Sequence, residues 1–202
     1  MSRSGRVLYD GAIYHIINRG HNKQGLFKDK SDYMAFKEII SSYKAKFSFK
    51  LFNYCIMRNH FHFLLRILKA KDLPHVMQSI SQAYARYHKR KYHNVGYLYQ
   101  ARYKGILIEK DEYLLECARY IERNPLRARI VKDLSAYPWS SYNYYAKGKE
   151  DAIIDRNILY DGFGHTEEER QREYTKYIET PRPYESILDE AIRKMKSQGV
   201  PK

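Results

Sequence analysis

Two histidines, His60 and His62, lie inside an otherwise apolar run, NYCIMRNHFHFLL, at residues 53–65. Side chains of a β-strand alternate between its two faces, so a strand here points both imidazoles to one side. Phe61 and Phe63 then point into the opposite layer. Neutral imidazole nitrogens bind divalent ions, and two ligands leave coordination positions open for oxygen ligands and a substrate phosphate. The pair is therefore a candidate metal site.

The histidine triplet is a weak signal by itself. With 8 histidines in 202 residues, about one third of a His-x-His triplet is expected by chance. Zinc is an alternative ion, but its structural sites need four ligands, which the sequence does not supply. The two cysteines, Cys55 and Cys117, lie far apart in apolar stretches. This cysteine usage indicates neither a zinc motif nor a disulfide framework, and it fits a reducing cytoplasm.

A metal beside a phosphate needs a nucleophile, and Tyr120 is the leading candidate among 21 tyrosines. It lies in a predicted short helix with the sequence ARYIERNPLRARIV. Residues four apart share a helix face, so the Asn124 carboxamide could join Tyr120 at the metal. Asn124 also has an alternative role, as the N-cap of a short helix that has Pro125 at its first position. Tyr113 is the competing nucleophile, because it lies seven residues earlier on nearly the same face.

The composition favours a polyanionic partner. The formal net charge is +14 and the sequence pI is about 9.6. Basic side chains interleaved with tyrosines suit single-stranded nucleic acid, where bases stack on rings and phosphates contact cations. The alternative is a basic protein without such a ligand. No stretch approaches about 18 apolar residues and the N-terminus has no signal-like segment, so we expect a soluble cytoplasmic protein with no membrane partner.

The elements that must position these residues follow from hydrophobic periodicity and turn signals. We predict strands at 12–18, 50–57, 60–67 and 102–109, with a tight hairpin at Arg58-Asn59, and helices at 31–46, from Leu73 into the basic stretch 86–94, and from Asp111 to about Asn124. The order β-α-β-β-α-β, followed by a helix, predicts an α+β protein with a ferredoxin-like, mainly antiparallel sheet and helices on one face.

The chain is expected to divide into a catalytic domain at 1–145 and a small helical C-terminal extension at 146–202. Two helices are predicted in the extension, at about 166–178 and 184–197. Thr166 and Glu169 have the spacing of a capping box at the start of the first.

Five collinear segments resemble the HUH single-tyrosine transposases, and most closely the REP-associated tyrosine transposases. They are YHIINRG at 14–20, YCIMRNHFHFLL at 54–65, GYLYQARYKG at 96–105, YIERNPLRARIV at 120–131 and YPWSSY at 137–142.

This resemblance implies a single-stranded DNA endonuclease and strand transferase that acts at hairpins or palindromic repeats. It implies a divalent ion, Mg²⁺ or Mn²⁺, and no ATP. By position, His60 and His62 match the metal-binding pair, Tyr120 matches the nucleophile that forms a 5′-phosphotyrosine, and Asn124 matches a third, polar metal ligand. A bacterial, nucleoid-associated monomer or homodimer is expected.

Two other classes of function stay open. One is a catalytically silent or domesticated DNA-binding protein of the same fold. The other is an RNA-binding module, although no matching RNP aromatic signature lies on the predicted strands.

Cations and one histidine are the candidate DNA contacts. Arg3, Arg6, Arg19 and His21 lie in or near the N-terminal region that relatives use to read a tag beside a hairpin. Lys104, Arg119 and Arg123 are also candidates to assist deprotonation of Tyr120, whose ordinary pKa is about 10. The set is Arg3, Arg6, Arg19, His21, Arg86, Lys89, Arg90, Lys91, Arg102, Lys104, Arg119 and Arg123.

Overall fold

The computed structural model describes residues 8–180. Its strands are β1 (Ile13–Arg19), β2 (Phe49–Met57), β3 (His60–Ile67) and β4 (Lys104–Ile108), and its α-helices are α1 (Lys30–Lys44), α2 (Asp72–Tyr92), α3 (Asp111–Glu122), α4 (Asn124–Arg127), α5 (Tyr142–Lys147) and α6 (Glu167–Glu179). None of these helices is both long and apolar enough to cross a membrane. The predicted helix at 184–197, together with Arg3 and Arg6, lies outside the described residues.

The four strands form one sheet in the order β2-β3-β1-β4. Every neighbouring pair is antiparallel, and β2 and β3 form the expected hairpin around Arg58 and Asn59. This arrangement confirms the predicted α+β class and the antiparallel, ferredoxin-like order. In the register, His62 lies opposite Cys55 of β2 and opposite Ile17 of β1.

Helices cover both faces of the sheet. As expected, α1 and α2 share one face, where Phe36 and Ile80 join Phe61 and Phe63 in the main core. The expectation of helices on one face does not extend to α3, which covers the other face with a second apolar cluster that includes Leu64. The reason lies in β2 and β3, whose residues are buried almost without alternation. Apolar side chains on both faces of a strand need cover on both.

Residues 146–180 pack onto the preceding part of the chain. Tyr145, Tyr160 and Tyr174 form a third cluster with the end of α6. The predicted capping box of Thr166 and Glu169 opens α6. The domain boundary at 145/146 stays a prediction.

A buried carboxyl group, Glu122, joins this third cluster to the sheet. It accepts hydrogen bonds from the Asn53 amide of β2 at 2.9 Å, from the Tyr174 hydroxyl of α6 at 3.0 Å and from the Ser141 hydroxyl. Burial raises the pKa of Glu122 to about 7, and these three hydrogen bonds oppose the increase. The fold therefore favours the protonated carboxyl group.

Because of Glu122, the free energy of unfolding is predicted to fall as pH rises. Its folded pKa lies above its ordinary value of 4.5, so its contribution is complete below pH 4.5 and is lost as pH rises through about 7. Glu122→Gln mimics the protonated group. From pH 5 to pH 8, we expect the wild type to lose on the order of 3 kcal/mol of unfolding free energy relative to this variant.

Urea unfolding at both pH values measures the difference. Glu38→Gln, at an exposed position of α1, is the matched control and is expected to keep the wild-type pH dependence. Parallel pH profiles for the wild type and Glu122→Gln would contradict the assignment.

Candidate active site

The two imidazoles of β3 lie on the same face of the sheet, as the sequence predicted. Their ring centroids are 5.1 Å apart. His62 is buried beneath the α3 layer, whereas His60, at the start of the strand, is half-buried. One imidazole of the pair is therefore shielded from solvent, and the other is partly accessible to it.

A third histidine, His15 of β1, lies beside the pair. Its Nε2 is 2.9 Å from Nδ1 of His62, and the two rings are stacked with centroids 5.2 Å apart. Burial lowers the pKa of His15 to about 3. Burial also lowers the pKa of His62 well below its usual range, with further lowering from the charges of His60, His15 and Arg127. Both rings are therefore neutral near pH 7, as a metal ligand must be.

Hydrogen bonding decides which nitrogen of each ring can bind a metal. Nδ1 of His60 lies 2.7 Å from the Asn59 side-chain oxygen, which can only accept, so Nδ1 carries the proton and Nε2 carries the lone pair. Nδ1 of His62 faces another imidazole nitrogen, and either one can be the donor. Only when His62 donates to His15 does Nε2 of His62 carry the lone pair. As an acceptor, His15 can hold His62 in the tautomer that a metal requires.

Helix α3 places Tyr120 over the histidines. The centroid of its ring lies 5.8 Å from the ring centroids of both His15 and His62. The guanidinium carbon of Arg127 lies 4.8 Å from the centroid of the same ring. Tyr120 is only 5% exposed, whereas the competing Tyr113 is 40% exposed. The geometry favours Tyr120, and the contacts lie within a single chain.

Asn124 holds the end of α3 with its side-chain nitrogen. This amide donates to the carbonyl oxygens of Tyr120, at 2.8 Å, and Ile121, at 3.2 Å. The N-cap position of α4 is Arg123, so the alternative role of Asn124 as the N-cap is wrong. Because the nitrogen is bound to the backbone, the amide oxygen is the atom that a metal would use.

Two candidate DNA contacts flank the histidine pair. Arg19 of β1 lies opposite His60 in the register, and Lys104 of β4 lies in the same row as Ile17 and His62. Opposite residues in a sheet share a face, so the side chains of both cations leave the backbone on the histidine face. The guanidinium group of Arg19 also donates to the Gln100 side chain.

The other candidate cations divide into three groups. Exposed side chains along the end of α2 and in nearby connections are His21, Arg86, Lys89, Arg90 and Arg102. Lys91 is paired with Asp29 and Asp32, at 2.7 Å in each case, so its charge is neutralised within the fold.

Arg119 and Arg123 form the third group, and the expectation that they contact DNA is wrong. Arg119 is completely buried, and its guanidinium group donates to the Thr180 carbonyl and to Glu116. Arg123 donates to the carbonyls of Ile178 and Glu179. Both hold α3 against the end of α6, so neither belongs to a DNA surface.

Two imidazoles and an amide oxygen fit a divalent ion that takes nitrogen and oxygen ligands and keeps positions for water or phosphate. Within residues 8–180, no group of three or more His, Cys, Asp or Glu side chains is arranged to hold a metal.

Comparison with known families identifies the chain. The family model for IS200-like transposases matches residues 9–124, which is more than half of the sequence. The chain belongs to the IS200-like transposase family. The matched segment contains His15, His60, His62, Tyr120 and Asn124. No curated protein matches the chain.

Solved structures support the same fold. The structure of a REP-associated tyrosine transposase bound to a REP hairpin superimposes with a TM-score of 0.63 at 17% identity, covering 78% of this chain and 93% of that one. A crystal structure described as a candidate transposase from Deinococcus radiodurans R1 has a TM-score of 0.42 at 18% identity, covering 64% and 92%. The first of these structures shows that the two chains share a fold.

Sequence reasoning missed His15 and Arg127 as site residues of this IS200-like transposase. Both lie in segments that were singled out, YHIINRG and YIERNPLRARIV. A signal for His15 was available, because it is a polar residue in a predicted strand and shares a face with the apolar Ile13 and Ile17. Arg127 gave no such signal, because its position depends on how the chain turns after α3.

Replacing His15 is predicted to weaken metal binding. His15→Phe removes the acceptor for the His62 Nδ1 proton, so we expect Mn²⁺ affinity, measured by EPR titration, to fall about 10- to 100-fold. His15→Gln keeps a carbonyl acceptor and should recover part of the loss.

His75→Phe, at an exposed position of α2, is the control and should bind Mn²⁺ like the wild type. Unchanged Mn²⁺ affinity in a folded His15→Phe protein would refute the role of His15.

Proposed function

We propose that this IS200-like transposase is a metal-dependent endonuclease and strand transferase of single-stranded DNA that acts at hairpin or palindromic repeats. One observation carries the proposal: the ring of Tyr120 lies over His62, next to His60 on the same face. This contact supports the proposal because phosphoryl transfer requires a nucleophile close to the metal ion that binds the phosphate.

Charge and fold support DNA as the substrate. The net charge is +14, and Arg19 and Lys104 lie on the face of the candidate metal ligands. The REP-associated tyrosine transposase that shares this fold was solved with a REP hairpin bound. For this chain we propose the same class of substrate, a single strand that contains a hairpin. A monomer or a homodimer is compatible with contacts made inside one chain.

His60 and His62, through Nε2, and Asn124, through its amide oxygen, would hold the ion, Mg²⁺ or Mn²⁺. When bound, such an ion supplies Lewis-acid polarisation of the scissile phosphate. His15, as the acceptor of the His62 Nδ1 proton, would keep His62 in the required tautomer. Asn59 does the same for His60.

Tyr120 loses its phenolic proton to water and attacks phosphorus, with the guanidinium carbon of Arg127 4.8 Å from the centroid of its ring. The Tyr120 oxygen forms a bond to the 5′-phosphate and the bond from phosphorus to the 3′-oxygen breaks. The 3′-oxygen takes a proton from water and leaves as a 3′-hydroxyl. The phosphotyrosine conserves the energy of the phosphodiester. A 3′-hydroxyl of another strand can therefore displace Tyr120 and rejoin DNA without ATP.

A second candidate function is DNA binding without turnover. It is favoured by the burial of Tyr120, which is only 5% exposed, because a phosphate needs access to the phenolic oxygen. The same cleavage assay separates the two functions.

Tyr120 is predicted to form the covalent bond to DNA. Hairpin-bearing single strands incubated with the wild type and Mg²⁺ or Mn²⁺ should give a protein-DNA adduct on a denaturing gel. Tyr120→Phe should give none, because it lacks the attacking oxygen, while the control Tyr113→Phe should behave like the wild type. An adduct with Tyr120→Phe would show that another residue is the nucleophile, and tight wild-type binding without any nicking would support the second function.

Loss of either histidine ligand is predicted to separate cleavage from binding. His60→Ala and His62→Ala should lose on the order of 100-fold or more in cleavage rate with Mg²⁺, by analogy with the removal of one electrostatic group from an active site. DNA affinity measured in EDTA should change less than about threefold, because phosphate contacts elsewhere carry it. Wild-type cleavage rates in both variants would contradict the metal assignment.

A further inference from the structure

The turn at residues 20–24, which follows β1, lies beside the candidate metal ligand His60. The backbone of Gly20 donates to the carbonyl oxygen of Asn59 at 2.9 Å, and the side-chain amide of Asn59 donates to the carbonyl oxygen of Lys23 at 3.2 Å. The oxygen of the same amide lies 2.7 Å from Nδ1 of His60. One amide group therefore connects the turn to the imidazole.

Both ends of the Asn59 amide are satisfied in only one orientation. The Lys23 carbonyl can only accept, so the amide nitrogen faces it and the amide oxygen faces His60. His60 then carries its proton on Nδ1 and its lone pair on Nε2. In the flipped orientation the amide nitrogen would face His60, and the proton of the neutral ring would lie on Nε2. Nε2 would then have no lone pair for a metal.

The turn that presents the Lys23 carbonyl has an unusual backbone. Asn22 has a φ of 47° and Lys23 a φ of 61°, in the left-handed region that residues other than glycine rarely adopt. Such a conformation persists where surrounding contacts fix it. At Gly20, an added Cβ atom would clash with the carbonyl oxygen of Gln24. The turn therefore closes in this form only with glycine at position 20.

Hydrogen bonds on the far side of the turn hold it in place. The His21 backbone donates to the Leu98 carbonyl at 2.9 Å. The Gln24 side chain donates to the carbonyl oxygens of Tyr97, at 3.1 Å, and Leu98, at 3.0 Å. Inside the turn, the Gln24 backbone donates to the His21 carbonyl at 2.8 Å. These contacts fix the position of the Lys23 carbonyl, although Lys23 itself is exposed.

We propose that the turn at residues 20–24 is a positioning element of the active site. The Lys23 carbonyl orients the Asn59 amide, and the amide keeps a lone pair on Nε2 of His60. Hydrogen-bond partners of ligating histidines commonly fix the tautomer and orientation of the ring in this way. The inference rests on the proposed function, since it takes His60 as a ligand of the divalent ion. It adds to that function the group that determines which nitrogen of His60 is available.

Position 59 provides the first test, because an amide can flip between donor and acceptor whereas a carboxylate only accepts. Asn59→Asp presents an acceptor to His60 in either orientation, and Asn59→Ala presents none. We expect the Mn²⁺ affinity of the full chain, measured by EPR titration without DNA, to fall about 10- to 100-fold in Asn59→Ala. Asn59→Asp should avoid this loss.

The role of the turn is tested by disrupting it with either residue at position 59. Gly20→Ala should displace the carbonyls of the turn. It should lower Mn²⁺ affinity about fivefold or more when residue 59 is Asn, and less than about twofold when residue 59 is Asp. A turn with only a structural role would give the same loss in both proteins. Gly162→Ala is the matched control and should bind Mn²⁺ like the wild type, because its added Cβ meets no atom within 4 Å.

The tautomer of His60 gives a readout without metal. Nitrogen NMR of the metal-free protein, at a pH where His60 is neutral in every variant, should place the ring proton on Nδ1 in the wild type. In Gly20→Ala, part of the protein should carry that proton on Nε2, and adding Asn59→Asp should return it to Nδ1. A proton that stays on Nδ1 in Gly20→Ala would contradict the role of the turn.

A second pair of variants covers the case in which Gly20→Ala does not fold. Asn22→Val changes an exposed side chain and disfavours the left-handed backbone, because Val is β-branched. It should show the same dependence on residue 59. Asn22→Gly is its control and should bind Mn²⁺ like the wild type, since glycine adopts this conformation readily.

Two results of the Mn²⁺ titrations would overturn the positioning role while leaving the proposed function intact. One is wild-type Mn²⁺ affinity in Asn59→Ala. The other is an equal loss of affinity, on disruption of the turn, whether residue 59 is Asn or Asp. Mn²⁺ binding that His60→Ala leaves unchanged would instead refute the metal ligand of the proposed function, and the positioning role with it.

Discussion

Strand β3 is buried on both faces, and the chemistry of the candidate site depends on that burial. Alternation along the strand places Phe61 and Phe63 against α1 and α2, so it must place His60 and His62 beneath α3. The sheet and α3 exclude water from His62 and His15, which keeps both imidazoles neutral. Neutral rings retain lone pairs for a metal, and the low-dielectric layer strengthens the interaction of a bound ion with a phosphate.

The second support of the site is the C-terminal segment, which holds α3 where Tyr120 can reach the histidines. Arg119 and Arg123, on either side of Tyr120 in sequence, bind carbonyl oxygens at the end of α6. Glu122 binds α6 and β2 through neutral donors. The predicted extension therefore contributes, through residues up to 180, to the position of Tyr120. These residues therefore position α3 in addition to covering it.

The fold could be predicted from sequence to the extent that local periodicity determines it. Alternation placed His60 and His62 on one face, and turn residues located the hairpin at Arg58-Asn59. The role of His15 depends on the register between β1 and β3, which no local pattern contains. Arg119 and Arg123 resemble surface cations in sequence, and only the packing of α6 shows that they are buried. Ion pairing of Lys91 with Asp29 and Asp32 is likewise a tertiary contact between residues about 60 positions apart.

We propose that His60 and His62 hold one divalent ion beneath Tyr120. Anomalous diffraction from crystals grown with Mn²⁺ locates that ion directly. We predict a single strong peak on the histidine face, within coordination distance of Nε2 of both His60 and His62 and on the Tyr120 side of β3. A Mn²⁺ peak bound to other residues, with both imidazoles out of coordination distance, would contradict it.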